Sequence, residues 1–510
     1  LRRLTPGGKD NNRLGVWSRD GKLLTIGSSR RTPAAIDAYV VDVATGDLRL
    51  VSENPGTGGF SDLTPDRRLA LLNRVVARGD NNLYLVDVAS RKETLLTPHE
   101  GPGSFFGSFS PDGKSVYLGT NKDRDLRAFG RIRIADGKPG AIETVAARPD
   151  AELDNFEIDD QGRRAMLTWN VAGRSEMELL DLRNGKVESR PKLPAELAGA
   201  MKFSADGSRL AMTVSGSTMP ADIWTLDVGT GRLTRITSSP HPGVDLARLV
   251  RPELIRFRGH DGLELSGWLY RPASGAGPFP TVLSFHGGPE SQERPGFSSN
   301  YQALVARGIA VFAPNVRGSS GFGKRFVNLD NGALRFDGVK DIRACVEAVV
   351  ANGVADPRRI GIMGGSYGGY MVMAGLTEYP ELFAAGANLF GVVNFDTFFK
   401  HTEGWMAAIS KVEYGDPDKE ADLLRRLSPI HRVDRVRAAT IVLHGANDTN
   451  VPVVEAEQVV ESLKKRNVPV EYVLFPDEGH GWRKTVNRVR ATVAIVQWFE
   501  KHLNGTAGKS

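Results

Sequence analysis

One serine lies in a setting that could make its hydroxyl a nucleophile. Residues 364–368 read Gly-Gly-Ser-Tyr-Gly and follow a short apolar run at 360–363. A G-x-S-x-G pattern at the end of a buried strand predicts a tight turn that presents the serine hydroxyl, and the flanking glycines leave room for that turn. Ser366 is therefore predicted to attack an acyl carbon.

A nucleophilic serine needs a base that removes its proton and a carboxylate that orients the base. An apolar run at 440–443 ends in a loop that contains Asp448, and a second run at 470–475 leads into a loop where glycines flank His480. The order serine, aspartate, histidine is that of α/β-hydrolases. We predict that Ser366, Asp448 and His480 are the catalytic residues.

Other residues compete for these roles. Asp477 and Glu478 are alternative acids, but both immediately precede His480 in its own loop. Asp448 could instead be an ordinary turn residue that caps the following helix. His444 ends a strand-like run, where a structural hydrogen bond is the favoured interpretation.

A tetrahedral intermediate also needs hydrogen-bond donors for its oxyanion. The backbone N–H of Tyr367, directly after the nucleophile, is one predicted donor. A second is expected from the loop after the apolar run at 281–285, where His286 and Gly287 begin a His-Gly-Gly-Pro segment. The sequence leaves open which group of these two residues donates.

Aromatic residues downstream of the nucleophile are candidates for the apolar lining of a substrate pocket. Phe390, Phe395 and Trp405 are the predicted substrate-binding residues. Most aromatic clusters are core instead, and spacing alone does not separate the two interpretations.

The second half of the chain alternates apolar strand-like runs with amphipathic segments. One predicted helix has an apolar face of Ala456, Val459, Val460 and Leu463, and another has Val489, Val493, Val496, Phe499 and Leu503. This alternation predicts a mostly parallel, doubly wound sheet with its chemistry at the carboxyl ends of the strands. We assign residues 246–510 to an α/β-hydrolase catalytic domain.

The first half of the chain repeats. A turn separates two apolar runs at Asp20, Asp66, Asp112, Asp160 and Asp206, with spacings of 46, 46, 48 and 46 residues. A period of this length with about four short strands per unit is the pattern of a β-propeller. We assign residues 1–245 to a propeller of five full repeats; a solenoid of mixed elements is the alternative.

The segment at 1–6 resembles the last strand of a repeat unit. We therefore expect the chain to open within a partial blade, so that the propeller is incomplete at its N-terminus. The sequence leaves open whether earlier blades or a signal peptide precede Leu1.

Composition excludes several classes of function. The 66 Lys and Arg residues exceed the 60 Asp and Glu residues only slightly and form no basic block interleaved with aromatics, which argues against nucleic-acid binding. No apolar run is long enough to span a bilayer, so no membrane association is predicted. The single cysteine, Cys345, excludes an internal disulfide. We expect a soluble protein, with the cytoplasm favoured over secretion or the periplasm.

Taken together, the motifs at 286–289, 364–370, 444–452 and 477–481 resemble those of the prolyl oligopeptidase family of serine peptidases. The His-Gly-Gly-Pro form is similar to that of its acylaminoacyl-peptidase-like branch. Family members named for cleavage after proline carry a tyrosine where His286 stands. We find no counterpart of the paired glutamates that hold a free amine in dipeptidyl peptidases.

The resemblance implies a serine peptidase that hydrolyses short or N-acylated peptides through an acyl-enzyme. No metal or organic cofactor is implied. An esterase or other acyl hydrolase with the same triad is the first alternative, because the fold does not choose the acyl acceptor. A catalytically silent propeller that only binds partners is the second. A homo-oligomer is left open, with an unpaired propeller edge as its contact surface.

Overall fold

The computed structural model describes residues 3–5 and 7–504. The strand-like segment predicted at 1–6 lies partly outside these residues. Five small antiparallel sheets come first, and one large mixed sheet flanked by helices follows. The chain is thus a β-propeller followed by an α/β-hydrolase domain, as predicted.

Each propeller sheet consists of four consecutive antiparallel strands. The first contains β1 (Asn12–Trp17), β2 (Leu23–Ser28), β3 (Asp37–Asp42) and β4 (Leu48–Ser52); the second β5 (Thr57–Leu63), β6 (Leu69–Ala77), β7 (Asp80–Asp87) and β8 (Glu93–Leu95). The third contains β9 (Phe105–Phe109), β10 (Ser115–Thr120), β11 (Ala128–Ala135) and β12 (Lys138–Ala146). The fourth contains β13 (Glu152–Ile158), β14 (Arg164–Val171), β15 (Arg174–Asp181) and β16 (Lys186–Ser189); the fifth β17 (Leu197–Phe203), β18 (Arg209–Gly216), β19 (Met219–Asp227) and β20 (Leu233–Arg235).

Apolar clusters join each sheet to the next. Phe60 packs with Val40 between the first two sheets, and Met166 packs with Phe203 between the last two. At the two ends of the series, Trp17 on β1 and Ile223 on β19 are exposed. Within the described ranges, no apolar cluster joins the fifth sheet to the first.

The repeated turns are held by their aspartates. Asp66 accepts hydrogen bonds from the Thr64 hydroxyl at 2.6 Å and from the Arg68 backbone N–H at 3.0 Å, and the Thr64 hydroxyl lowers the pKa of Asp66. The fourth unit differs, since Asp159 accepts from the Arg163 backbone there. These turns connect the first two strands of each sheet and so set the repeat.

The large sheet has the strand order β21-β22-β24-β23-β25-β26-β27-β28. Its strands are β21 (Glu253–Arg258), β22 (Glu264–Tyr270), β23 (Phe279–Phe285), β24 (Ala310–Asn315), β25 (Ala355–Gly365), β26 (Ala385–Leu389), β27 (Ala439–Gly445) and β28 (Val470–Phe475). The pairs from β24 to β28 are parallel, whereas β22 is antiparallel to both of its neighbours. The central strands are apolar and buried, as both-face coverage requires.

Helices cover both faces of this sheet. They are α1 (Ser299–Ala306), α2 (Lys324–Val327), α3 (Arg335–Ala351), α4 (Tyr367–Glu378), α5 (Phe395–His401), α6 (Gly404–Tyr414), α7 (Ala421–Leu427), α8 (Val454–Lys465) and α9 (Thr485–Phe499). Short 3₁₀ helices lie at Leu246–Arg248, Gly332–Leu334 and Pro429–Arg435, and a short π-helix lies at Glu500–Asn504. No helix in the described part of the chain is both long and apolar enough to cross a membrane.

The apolar face of α8 is buried as predicted, but the face predicted for α9 is partly wrong. Val489 and Val493 are 57% and 45% exposed, while Asn487 is buried. The buried face of α9 instead runs through Asn487, Ala491, Ile495 and Trp498, and the Asn487 amide donates to the carboxylates of Asp477 and Glu478.

The last propeller strand ends at Arg235 and the first hydrolase strand begins at Glu253. The predicted domain boundary between residues 245 and 246 falls in this connection. Side-chain contacts that bridge the domains include those from Arg294 to the Asp154 carboxylate at 2.7 Å and to the Gly173 carbonyl at 2.9 Å.

We expect Asp66→Ala to lower the stability of the propeller by about 1 kcal/mol, because two backbone-ordering hydrogen bonds are lost. Thermal unfolding measures the change. Asp160→Ala is the matched control, since Asp160 holds the same place in the repeat but makes only an exposed ion pair with Arg19. Equal melting temperatures for the two variants would contradict the role given to Asp66.

Candidate active site

The backbone at Ser366 forms the predicted turn. β25 ends at Gly365 and α4 begins at Tyr367, so Ser366 alone connects them, with φ 59° and ψ −119°. A positive φ is uncommon for a residue that carries a Cβ. The surrounding chain holds this conformation, since the Ser366 N–H donates to the Leu389 carbonyl at 2.9 Å.

The neighbouring glycines are required by close packing. A Cβ at Gly364 or at Gly368 would come closer than 3.0 Å to backbone atoms, at the Gly368 carbonyl and the Phe285 carbonyl respectively. The end of β23 thus presses directly on the first turn of α4. This contact brings the loop after β23 next to the nucleophile.

The predicted acid and base are in contact. Nδ1 of His480 lies 2.7 Å from Oδ2 of Asp448. The other carboxylate oxygen of Asp448 accepts from the backbone N–H groups of Asn450 and Val451, at 2.9 Å each. The Asp448 side chain is fully enclosed, whereas that of His480 remains 24% exposed. The carboxylate can therefore orient the imidazole while the ring still reaches solvent or substrate.

The competing residues make other contacts. Glu478 accepts hydrogen bonds from the backbone N–H groups of Arg483 and Lys484 just before α9. These hydrogen bonds lower the pKa of Glu478, and the one from Arg483 has the largest effect. Asp477 pairs with Lys484 at 2.5 Å. His444 is buried, which lowers its pKa, and its Nε2 contacts the Val451 carbonyl at 2.8 Å. These contacts fit structural roles for all three.

The loop after β23 lies beside the nucleophile. A Cβ built on Gly287 would stand 3.4 Å from Cβ of Ser366. Burial lowers the pKa of His286, against the raising effect of its contact with the Gly287 backbone. Nδ1 donates to the Gly287 carbonyl at 2.8 Å, and Nε2 lies 2.8 Å from the Ser319 hydroxyl, which itself donates to the Val316 carbonyl at 2.6 Å. His286 therefore fixes the peptide group at Gly287.

The three predicted pocket aromatics lie in different surroundings. Phe390, at φ 42°, packs its ring 4.9 Å from that of His480. Phe395 is fully buried in the hydrolase core. Trp405 is nearly buried at the domain interface, where the Arg13 guanidinium lies 4.4 Å above its ring. Of the three, only Phe390 is placed next to the candidate base.

A buried ionic cluster behind Tyr367 was not predicted from the sequence. The Tyr367 hydroxyl donates to Asp330 at 3.2 Å, and the Arg335 guanidinium contacts both Asp330 and Glu413. Burial raises the pKa of both carboxyls, against the lowering effect of Arg335. No spacing pattern marks these residues, because their burial arises from tertiary packing.

A second unpredicted carboxyl lies on the loop after β23. Glu293 accepts from the Tyr301 hydroxyl at 3.0 Å, and burial raises the pKa of Glu293 to about 7. Its backbone is fixed as well, since the Glu293 N–H donates to Asn315 at 2.7 Å and its carbonyl accepts from Trp268 at 3.2 Å. Glu293 thus anchors the far end of this loop.

The fold and this geometry define the chain as a propeller-bearing α/β-hydrolase. The sequence pattern of the prolyl oligopeptidase family matches residues 295–506. Dipeptidyl peptidase family member 6 of Caenorhabditis elegans is 30% identical, over 94% of this chain and 70% of its own length. This chain belongs to the prolyl oligopeptidase family and is a serine-type peptidase or hydrolase.

The chain is also similar to two further proteins, one in sequence and one in structure. Acylamino-acid-releasing enzyme of Arabidopsis thaliana is 30% identical, over 44% of this chain and 30% of its own length. The crystal structure of a puromycin hydrolase has a TM-score of 0.88 and 22% identity, covering all of this chain and 82% of that one. The structural similarity extends over both domains and supports the fold.

We expect Gly368→Ala to abolish labelling of Ser366 by a fluorophosphonate, because the added methyl group must displace the β23 carbonyl or the first turn of α4. Gel fluorescence after labelling measures this. Gly59→Ala, on β5 with open space around it, is the control and should label like the unaltered protein. Normal labelling of Gly368→Ala would contradict the close packing described.

We expect the stability of the protein relative to Glu293→Gln to fall as pH rises from 5 to 8. The pKa of Glu293 is raised from 4.5 to about 7, so its favourable contribution is complete below pH 4.5 and is lost as pH rises through 7. The difference corresponds to about 3 kcal/mol at most. Melting temperatures across this pH range test it, with the exposed Glu471→Gln as control; a pH-independent difference would contradict it.

Proposed function

We propose that this protein is a serine peptidase that hydrolyses short peptides by acyl transfer to water, with Ser366 as nucleophile, His480 as base and Asp448 as the orienting acid. The contact between Asp448 and His480 carries the proposal. Both residues follow carboxyl ends of parallel strands, at the edge of the sheet where Ser366 also stands. Active sites of open α/β sheets lie at this edge.

In the proposed reaction, His480 takes the proton of Ser366 as the hydroxyl oxygen attacks the peptide carbonyl carbon. Asp448 holds the imidazole through Nδ1 and stabilises its charged form. The tetrahedral oxyanion binds the Tyr367 N–H and a donor of the His286–Gly287 segment. Protonation of the amine by His480 releases it, and a water activated by the same histidine then hydrolyses the acyl-enzyme.

The arrangement of the domains supports a short substrate. The loop after β23 contributes to the candidate oxyanion site and also contacts the propeller through Arg294. We propose that a peptide reaches Ser366 through the space between the domains, which would limit the length of the chain that can enter. Phe390, beside His480, is the strongest of the three candidates for substrate contact, and Phe395 would need core rearrangement to reach a substrate.

The N-terminal group of the substrate is a separate part of the proposal. The His-Gly-Gly-Pro segment favours N-acylated peptides, in line with the similarity to acylamino-acid-releasing enzyme over the second half of the chain. The relative matched along nearly the whole chain is named for dipeptidyl release. We propose N-acylated short peptides as the preferred class and retain ester hydrolysis as the alternative.

We expect Ser366→Ala to lose fluorophosphonate labelling and to lower amide turnover by at least about a thousandfold. Exposed Ser274→Ala is the control and should behave like the unaltered protein. Active-site labelling and initial rates on a chromogenic peptide amide measure both effects. An unaltered protein that takes no label would end the enzymatic proposal.

Relative rates on three small probes test which class of substrate the protein prefers. These are an N-acetyl-aminoacyl amide, a dipeptidyl amide with a free amine, and a short-chain ester. The proposal predicts the highest kcat/KM on the N-acetylated amide. Faster turnover of the free dipeptidyl amide would reassign the substrate, and ester turnover without amide turnover would favour the esterase alternative.

A further inference from the structure

One arginine of the propeller reaches deep into the hydrolase domain. Arg78 lies in the tight turn between β6 and β7, just before Gly79 at φ 69°. Its backbone N–H donates to the carbonyl of Ile409 in α6 at 3.1 Å. The tip of this hairpin is therefore docked on α6, and the side chain points beyond it.

Among the described residues, the hydrogen-bond acceptors of the Arg78 guanidinium all lie in the hydrolase domain. Nη1 donates to the Gly288 carbonyl and to Oε2 of Glu290, each at 3.2 Å. Nε donates to the Ser410 hydroxyl and Nη2 lies against Sδ of Met406, also at 3.2 Å. A planar fork of donors suits such a set of fixed acceptors. These donors are engaged with protein groups and are not held free for a substrate.

Arg78 contacts the segment at 288–290, which lies beside the nucleophile. Gly288 follows Gly287 directly and has φ 121°, a conformation that glycine adopts without strain but does not by itself enforce. His286 fixes the start of this segment within the hydrolase domain. Arg78 fixes its other end from the propeller, through the carbonyl of Gly288 and the carboxylate of Glu290.

Arg78 also contacts the support of the other predicted oxyanion donor. Ser410 and Met406 lie on α6, and the same helix carries Glu413, which contacts Arg335. Arg335 in turn pairs with Asp330, the acceptor of the Tyr367 hydroxyl. Two sets of polar contacts, joined through helix α6, therefore link the propeller to both sides of the oxyanion site.

We propose that Arg78 is a positioning residue for the oxyanion site, so that the propeller supports the chemical step as well as limiting access. This inference rests on the proposed function of Ser366 and the segment at 286–290. Loss of the tether lets the Gly288 peptide group reorient, which misplaces the adjacent donor when the oxyanion forms. Such a defect appears in kcat, because the affected interaction is made in the transition state.

The test compares Arg78→Gln and Arg78→Lys with Asp125→Asn. Asp125 also joins the domains, accepting from the Arg325 backbone N–H at 2.8 Å, but its hydrogen bonds do not involve the segment at 286–290. Rates on a small N-acetyl-aminoacyl amide give kcat and KM, and thermal unfolding shows that each variant is folded. A small probe needs no passage through the propeller, so access does not limit its rate.

We expect Arg78→Gln to lower kcat by about 10- to 100-fold with KM within about twofold, as for loss of oxyanion stabilisation. Arg78→Lys should recover only part of the rate, because an ammonium cannot span the same acceptors. Asp125→Asn should leave both constants unchanged. The rate of fluorophosphonate labelling should fall in parallel with kcat.

Three results would overturn the inference. A raised KM with unchanged kcat would show that Arg78 binds substrate, and equal losses in Arg78→Gln and Asp125→Asn would show a general effect of domain separation. Unchanged kinetics in Arg78→Gln, with Ser366 still labelled, would leave the proposed function standing and remove only this role. Absence of labelling in the unaltered protein would instead reject the proposed function itself.

Discussion

The backbone turn at Ser366 is the constraint on which the candidate site depends. A non-glycine residue is held at positive φ between a buried strand and a helix, and this costs free energy that the surrounding packing must supply. Gly368 lets the end of β23 approach so closely that no side chain fits between, and Gly364 lets the first turn of α4 fold back over β25. The same close approach brings the loop with His286 and Gly287 against the nucleophile, so one packing contact sets both parts of the site.

A buried ionic cluster is the second feature on which the candidate site depends. The Arg335 guanidinium pairs with the carboxyls of both Asp330 and Glu413, and all three side chains are shielded from solvent. Removing one partner of such a cluster leaves an uncompensated buried charge, whereas replacing a whole buried ion cluster by apolar residues of similar volume is often neutral for stability. Its position directly behind Tyr367 suggests that its value lies in fixing geometry. Arg78 extends the same kind of contact across the domain boundary, from a propeller hairpin to α6.

Patterns in the sequence predicted the architecture because they reflect local rules. The aspartate turns every 46 to 48 residues mark the five sheets, and apolar runs followed by glycine-rich loops mark the strands that carry Ser366, Asp448 and His480. Other features could not be predicted. Arg78, Asp330 and Glu293 are polar residues whose contacts depend on distant segments, and the predicted face of α9 was partly wrong because polar Asn487, which binds Glu478, belongs to its buried face.

The hydrogen bonds that Glu478 accepts have a mechanical consequence. Glu478 sits two residues before His480 and holds the backbone of residues 483 and 484 at the entrance to α9. The loop of the candidate base is thereby joined to the start of α9, where Asn487 is buried and Val489 is exposed. A displacement of the start of this helix, for instance by a bound antibody, would therefore act on the loop that holds the imidazole.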